Sequence, residues 1–178
     1  AVHVSAYGLT EISGVACHGS ADETDFERAH TCGRTFEGLE ARIVCPESQS
    51  ELGPDEEGEI QLSGYALFTD YYKDPEKTRA VMTEDGWLRT GDIGALDAQG
   101  RLSFRGRLKD MLKVGGENVA ALEIEGLLLT HPAVKMAQVV GAPHDRLGEV
   151  PAAFIELSDG AHSVSYTHLR AHETRNYR

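Results

Sequence analysis

Hydrophobic and polar positions alternate along this chain in short runs, and turn-forming residues divide the runs. Positions 1–6 alternate and predict a short strand that delivers Tyr7-Gly8-Leu9-Thr10-Glu11 to a loop. Residues 17–34 are polar and mixed. Alternation returns over 38–45, through Leu39, Ala41, Ile43 and Cys45, and predicts a second strand. The acidic, turn-rich stretch from Pro46 to Glu57 predicts a loop. Glu59 to Ser63 predicts a strand closed by Gly64, expected at a sheet edge and leading into a turn with Tyr71-Tyr72. Asp74 is placed to cap a short helix with Pro75 at its first position, running towards Met82 and stopping before Asp85-Gly86. A hairpin is predicted over 93–105, with Asp97-Ala98-Gln99-Gly100 as its turn.

Beyond the hairpin the period changes. Val119, Leu122, Glu123 and Gly126 to Leu129 fit an amphipathic helix that ends near His131-Pro132. Val134 to Val140 and Val150 to Leu157 predict two strands separated by a loop around Gly141-Ala142-Pro143. The fold class expected is α+β: a β-rich block, then a small α+β block, with the boundary near Lys109. Ser158 to Arg178 has no hydrophobic period and crowds His162, His168, His172, Arg170, Arg175 and Arg178 together. We expect this tail to be disordered or foreign to the fold, such as an assembly scar, with a metal-binding histidine tract as the sharper alternative.

Composition narrows the function. The formal net charge of -12 argues against a nucleic-acid or membrane-surface partner, because both repel an acidic protein. Positive charge is nonetheless local: Arg101, Arg105, Arg107, Lys109 and Lys113 fall close together, as either a binding patch or a solvated hairpin face. Cys17, Cys32 and Cys45 form no C-x-x-C pair, so they suggest reduced thiols rather than a zinc site and point to the cytoplasm. No apolar run is long enough to span a bilayer. The opening Ala1-Val2-His3-Val4 has no basic leader and suggests a chain that begins inside a fold.

Several segments carry possible chemistry. In Tyr7-Gly8-Leu9-Thr10-Glu11 an aromatic can stack on a purine, a threonine hydroxyl can donate to a phosphate and a glutamate can hold Mg²⁺; a plain turn with a solvent-facing Glu11 is the plainer account. Asp92, after Thr90-Gly91, is expected in a tight turn before a strand, where it accepts hydrogen bonds from a ribose diol or caps the turn. Lys113-Val114-Gly115-Gly116-Glu117-Asn118 lacks the Gly-Lys-Ser/Thr ending of a phosphate loop, so its paired glycines mark either a close approach or a tight turn into the following helix. Glu123 and Glu125 fit a solvated face or a cap better than acid–base work.

Taken in order, Tyr-Gly-Leu-Thr-Glu, Gly-Glu-Ile-x-Leu-x-Gly, Trp-Leu-Arg-Thr-Gly-Asp, Gly-Arg-Leu-Lys-Asp and Lys-Val-Gly-Gly-Glu-Asn-Val resemble the adenylate-forming enzymes. The likeness covers residues 1–157, and Gly116 through Glu125 is most similar to acyl-CoA synthetases. It implies residues 1–108 as the end of the AMP-binding domain, 109–157 as part of a C-terminal lid, and 158–178 as a tail outside the family pattern.

What the resemblance implies is ATP-dependent activation of a carboxylic acid as an acyl-adenylate, followed by transfer to the thiol of CoA. Tyr7 would pack against adenine, and Thr10 and Glu11 would be the catalytic positions, on the α-phosphate and on Mg²⁺. Asp92 and Arg107 would hold the ribose, Lys109 would be the hinge, and Gly115 and Gly116 would line the CoA path. The chain departs from the family in two respects. The family's large N-terminal region, with its phosphate loop, is expected to be missing, and Lys135 is the last lysine, with no counterpart of the family's lid lysine. The expectation is a fragment inactive alone, with a truncated relative that binds nucleotide, CoA or a protein partner as the alternative.

Overall fold

The computed structural model describes residues 1–160, so the readings placed on 161–178 lie outside the described residues. Sheet dominates it. Strands β1 (Ala6–Tyr7), β2 (Cys17–His18) and β3 (Arg34–Thr35) form a small antiparallel sheet in chain order. Strands β4 (Leu39–Val44), β5 (Gly58–Gly64), β6 (Leu88–Leu96) and β7 (Leu102–Arg107) form an antiparallel meander. Strands β8 (Met111–Val114), β9 (Glu117–Ala120), β10 (Val134–His144) and β11 (Gly148–Leu157) form a third sheet, ordered β10-β11-β8-β9. Three short helices accompany them: α1 (Asp25–His30), α2 (Pro75–Val81) and α3 (Ala121–Leu129). The α+β expectation holds, and no described helix is long and apolar enough to cross a membrane.

The core lies between the first two sheets. Ile12, Ala16, Cys17, Leu39, Ile43, Ile60, Leu62 and Leu102 are buried in one cluster with Tyr7. Its centre is β5, where every residue from Gly58 to Leu62 is buried. This corrects the edge-strand expectation: β5 pairs with β4 on one side and β6 on the other. Its buried polar side chains both find partners. Gln61 Oε1 accepts from Arg42 Nε at 3.0 Å, and Glu59 Oε1 accepts from the Gly91 amide at 3.2 Å.

Capping chemistry sets α1 and α2. Asp74 accepts from the Lys77 amide, and Pro75 opens α2 as expected. Helix α1 was not predicted, because no apolar period marks it. It has no buried residue and depends on a capping box between Thr24 and Glu27.

Other boundaries moved. Residues 1–5 form no strand, and the regular part is only Ala6–Tyr7. The 93–105 hairpin begins earlier, since β6 starts at Leu88. Gly141-Ala142-Pro143 belongs to β10 rather than to a loop, and the turn falls at 145–147. Gly115-Gly116 closes a hairpin between β8 and β9 instead of leading into a helix, with both glycines at positive φ (61° and 95°). Such values favour glycine, because at positive φ a Cβ would crowd the backbone carbonyl.

Candidate functional site

Asp92 stands at an irregularity inside β6, not in a tight turn before a strand. Glu59 pairs with Ile93 but Gln61 pairs with Arg89, so β6 carries surplus residues in that interval, with Gly91 at φ 70°. The bulge frees backbone groups, and neighbouring side chains take them up. Thr90 Oγ1 donates to the Ile60 carbonyl at 2.6 Å, the Gly91 amide donates to Glu59, and the Asp92 amide donates to Thr90 Oγ1 at 3.1 Å. Thr90-Gly91-Asp92 thus folds as a unit whose result is the aim of one carboxylate.

That carboxylate is nearly buried, with 10% of its side chain accessible. Its Oδ2 accepts from the Tyr7 hydroxyl at 2.8 Å, and its Oδ1 faces Arg107 Nε at 3.5 Å. Register dictates the second contact, because Asp92 and Arg107 are paired across β6 and β7. Burial pushes the Asp92 carboxyl above its ordinary value, against the lowering influence of the Tyr7 hydrogen bond and Arg107; Asp110 and Glu11 add to the rise. Glu11 and Asp110 therefore share the field of Asp92.

Tyr7 is brought there by a doubled-back loop. The Ala16 amide donates to the Tyr7 carbonyl, and the Gly14 amide to that of Leu9. A Cβ on Gly8 would stand 1.8 Å from the Gly14 carbonyl oxygen, so only glycine permits this approach. Tyr7 itself is 7% exposed, lies 5.9 Å from the Phe104 ring, and offers a purine little open face. Burial raises its phenol well above the usual range, so it stands as a hydrogen-bond donor to Asp92.

Thr10 and Glu11 open a 3₁₀ turn, Thr10–Ile12, anchored by buried Ile12. Thr10 is exposed and Glu11 half-buried. Glu11 Oε1 accepts from the Tyr71 hydroxyl at 2.5 Å, which pushes that phenol up to about 12. No described group of three or more His, Cys, Asp or Glu side chains could hold a metal. A single carboxylate fits Mg²⁺ that arrives with substrate phosphates, and does not fit a cage made by protein alone.

Two cavities flank the basic segment. One of about 420 Å³ is lined by Thr90, Gly91, Arg107, Leu108 and Lys109. Another of about 550 Å³ continues past Gly106, Arg107, Lys109 and Asp110 towards Leu122 and Glu125. Both lie within the size range of small-ligand sites. Gly115 and Gly116 line neither.

The structure thus gathers Tyr7, Glu11, Asp92 and Arg107, with Lys109 beside the last. It does not bring Gly115 and Gly116 to them. The basic cluster divides into separate pairs: Arg101 with Asp97 and Glu27, Arg105 with Glu57, Arg107 with Asp92. Glu125 is not simply solvated, because its Oε1 accepts from the Val139 amide at 2.7 Å. Sequence reasoning missed Thr90 and Glu59 as the frame of Asp92, and Tyr71 as the partner of Glu11. No local pattern could have revealed Tyr71, which stands 60 residues away.

The model of the AMP-binding enzyme family matches residues 2–72, and that of the AMP-binding enzyme C-terminal domain matches 123–176. The second match overlaps most of the tail set apart from the sequence. The YngI protein of Bacillus subtilis (strain 168) is 44% identical over 94% of this chain and 30% of its own length. 4-Coumarate–CoA ligase 3 of Oryza sativa subsp. japonica is 39% identical over 90% of this chain and 29% of its own. The chain therefore spans under a third of the curated relatives it matches. ATP-bound MatB from Rhodopseudomonas palustris superposes with a TM-score of 0.80 at 34% identity, over 88% of this chain and 30% of that one. The apo structure of MatB gives 0.66 at 33% identity, over 89% and 31%.

Proposed function

Because the chain belongs to the adenylate-forming AMP-binding enzyme superfamily, on its acyl-CoA synthetase side, we propose that it is the C-terminal part of an AMP-forming acid–thiol ligase. The reaction activates a carboxylic acid with ATP and passes the acyl group to the thiol of CoA. The observation that carries this reading is the buried Asp92 carboxylate held between Tyr7 and Arg107 beside an open cavity.

A carboxylate has about four lone-pair positions, and Tyr7 and Arg107 engage two directions. The rest can accept from the two hydroxyls of a ribose. Tyr7 and Arg107 favour the ionised Asp92 carboxyl against its burial, and Arg107 presents a further donor. Tyr7 reaches the nucleotide mainly through Asp92. Thr10, exposed on the 3₁₀ turn, donates to the α-phosphate, and Glu11 receives Mg²⁺ with the phosphates. When bound, Mg²⁺ supplies charge neutralisation for phosphoryl chemistry, which needs placed cations and donors rather than a protein nucleophile. Lys109 is assigned as the hinge and 109–157 as lid, with 1–108 as the end of the AMP-binding domain. Gly115 and Gly116, which line neither cavity here, would reach the CoA path when the lid turns.

The test uses the polypeptide of the whole reading frame that carries this chain, assayed with ATP, CoA and a panel of carboxylic acids. Acid-dependent pyrophosphate release and thiol loss are expected, both reduced at least about 10-fold by Asp92→Ala, since a charge-assisted contact contributes ~1.5–3 kcal/mol. The 178-residue chain alone should release no pyrophosphate above a Glu11→Ala control. Absence of turnover in the whole polypeptide would leave the second reading, a relative that binds nucleotide without catalysis.

A further inference from the structure

From the contacts around Glu11, and resting on its reading as the Mg²⁺ carboxylate, we infer that Tyr71 is a positioning residue. Its hydroxyl fixes the Glu11 carboxylate so that the second oxygen meets the divalent cation of a nucleoside triphosphate.

The segment after β5 folds back onto the Thr10–Ile12 turn along several bonds. The Phe68 amide donates to the Glu11 carbonyl at 2.7 Å, and Ser13 Oγ donates to the Ala66 carbonyl at 2.9 Å. Both ends of Glu11 are then held from one segment, the backbone by Phe68 and the side chain by Tyr71. Tyr71 is itself fixed. Its amide donates to Thr78 Oγ1 at 2.9 Å, its ring meets that of Phe68 edge-on at 4.8 Å, and Lys77 Nζ sits 4.0 Å from the ring centroid.

Three of these four contacts involve the ring or backbone of Tyr71, leaving the hydroxyl for Glu11 alone. Without it, Glu11 is a half-buried side chain free to sample several rotamers, and each must be lost again when a cation binds. Carboxylates that ligate metals are characteristically held by such outer hydrogen bonds, whose removal costs about 10- to 100-fold in metal affinity. Occupying Oε1 also directs a cation to Oε2, which gives a one-oxygen contact suited to Mg²⁺ bound mainly by phosphates. A purely structural bond would hold the segment in place but would leave the cation dependence alone.

The experiment titrates Mn²⁺–ATP into the polypeptide of the whole reading frame that carries this chain and reads paramagnetic broadening of the amides from Thr10 to Ser13. Tyr71→Phe keeps the ring and should need ~10- to 100-fold more Mn²⁺–ATP for equal broadening, with unchanged shifts on metal-free ATP. Glu11→Gln should lose the broadening. Thr78→Val loosens the Tyr71 backbone yet keeps the hydroxyl, and should titrate like the parent chain. If Tyr71→Phe matches the parent while Glu11→Gln loses the effect, the role of Tyr71 is wrong. Equal loss in Thr78→Val and Tyr71→Phe overturns it too, by showing that segment placement alone matters. If Glu11→Gln retains the broadening, or the parent chain shows none, the Glu11 assignment falls and takes this inference with it.

Discussion

The meander of β4 to β7 and the sheet of β8 to β11 are built from the same kind of antiparallel strands, yet they bury very different amounts. The meander packs Ile43, Ile60, Leu62, Leu88 and Leu102 at 2% exposure or less. Among described residues of the later sheet and its helix, the buried apolar side chains are Leu112, Ala137 and Val139, all between 5% and 9% exposed. Leu127, Phe154 and Met136 stand 72%, 67% and 57% exposed. The two site carboxylates, Asp92 and Glu11, follow this division. Both are rooted in the densely packed part, where a bulge or a turn can be held against strain. Lys109 lies at the junction, and Gly115 and Gly116 lie in the thinly packed part. A densely packed carboxylate platform beside a thinly packed block is the contrast that the proposed turning of the lid would use.

The largest effect expected from this contrast is in stability. Leu62→Ala removes a fully buried side chain and should cost about 2–5 kcal/mol. Val139→Ala, at the edge of the thin core, should cost about 1–2 kcal/mol, as a smaller loss less completely buried. Urea denaturation of both variants measures the difference, and equal losses would erase the contrast. Next comes Tyr7→Phe, which leaves the buried Asp92 with one partner fewer and should cost about 1–3 kcal/mol.

A smaller effect is pH-dependent. Burial raises the Asp92 pKa in the folded chain above its unfolded value. The folded state then holds that proton over a window in which the unfolded state has lost it, so stability falls as pH rises through the window. Asp92→Asn should flatten that segment of the stability–pH curve; an unchanged slope would show that Asp92 is not the group responsible. The smallest effect belongs to the ion pair of Lys135 and Glu156 on the later sheet, both side chains more than half exposed. Lys135→Ala should change stability by less than about 0.5 kcal/mol.

Strand β4 was legible in the sequence because period-2 alternation survives where one face is buried, as over Leu39 to Val44. The cap of α2 was legible because Asp74-Pro75 is a local signal. Helix α1 was not, since it buries nothing and leaves no apolar period. Strand β5 carries Glu59 and Gln61 yet lies between β4 and β6, not at the expected sheet edge. Burial of these two side chains depends on Arg42 and on the Gly91 amide, which lie far along the chain. The site shows the same split. Motif order pointed to Tyr7, Glu11, Asp92 and Arg107, but the bulge that aims Asp92 and the hydroxyl that holds Glu11 are tertiary facts.

The most direct test of the ribose site is a cycle of two ligands and two proteins: AMP and 2′,3′-dideoxy-AMP, each titrated calorimetrically into the parent chain and into Asp92→Ala. The account predicts that the parent prefers AMP and that the preference vanishes in the variant, a coupling of about 1–3 kcal/mol. Equal preference in both proteins, or none in the parent, would contradict the assignment of Asp92 to the ribose diol.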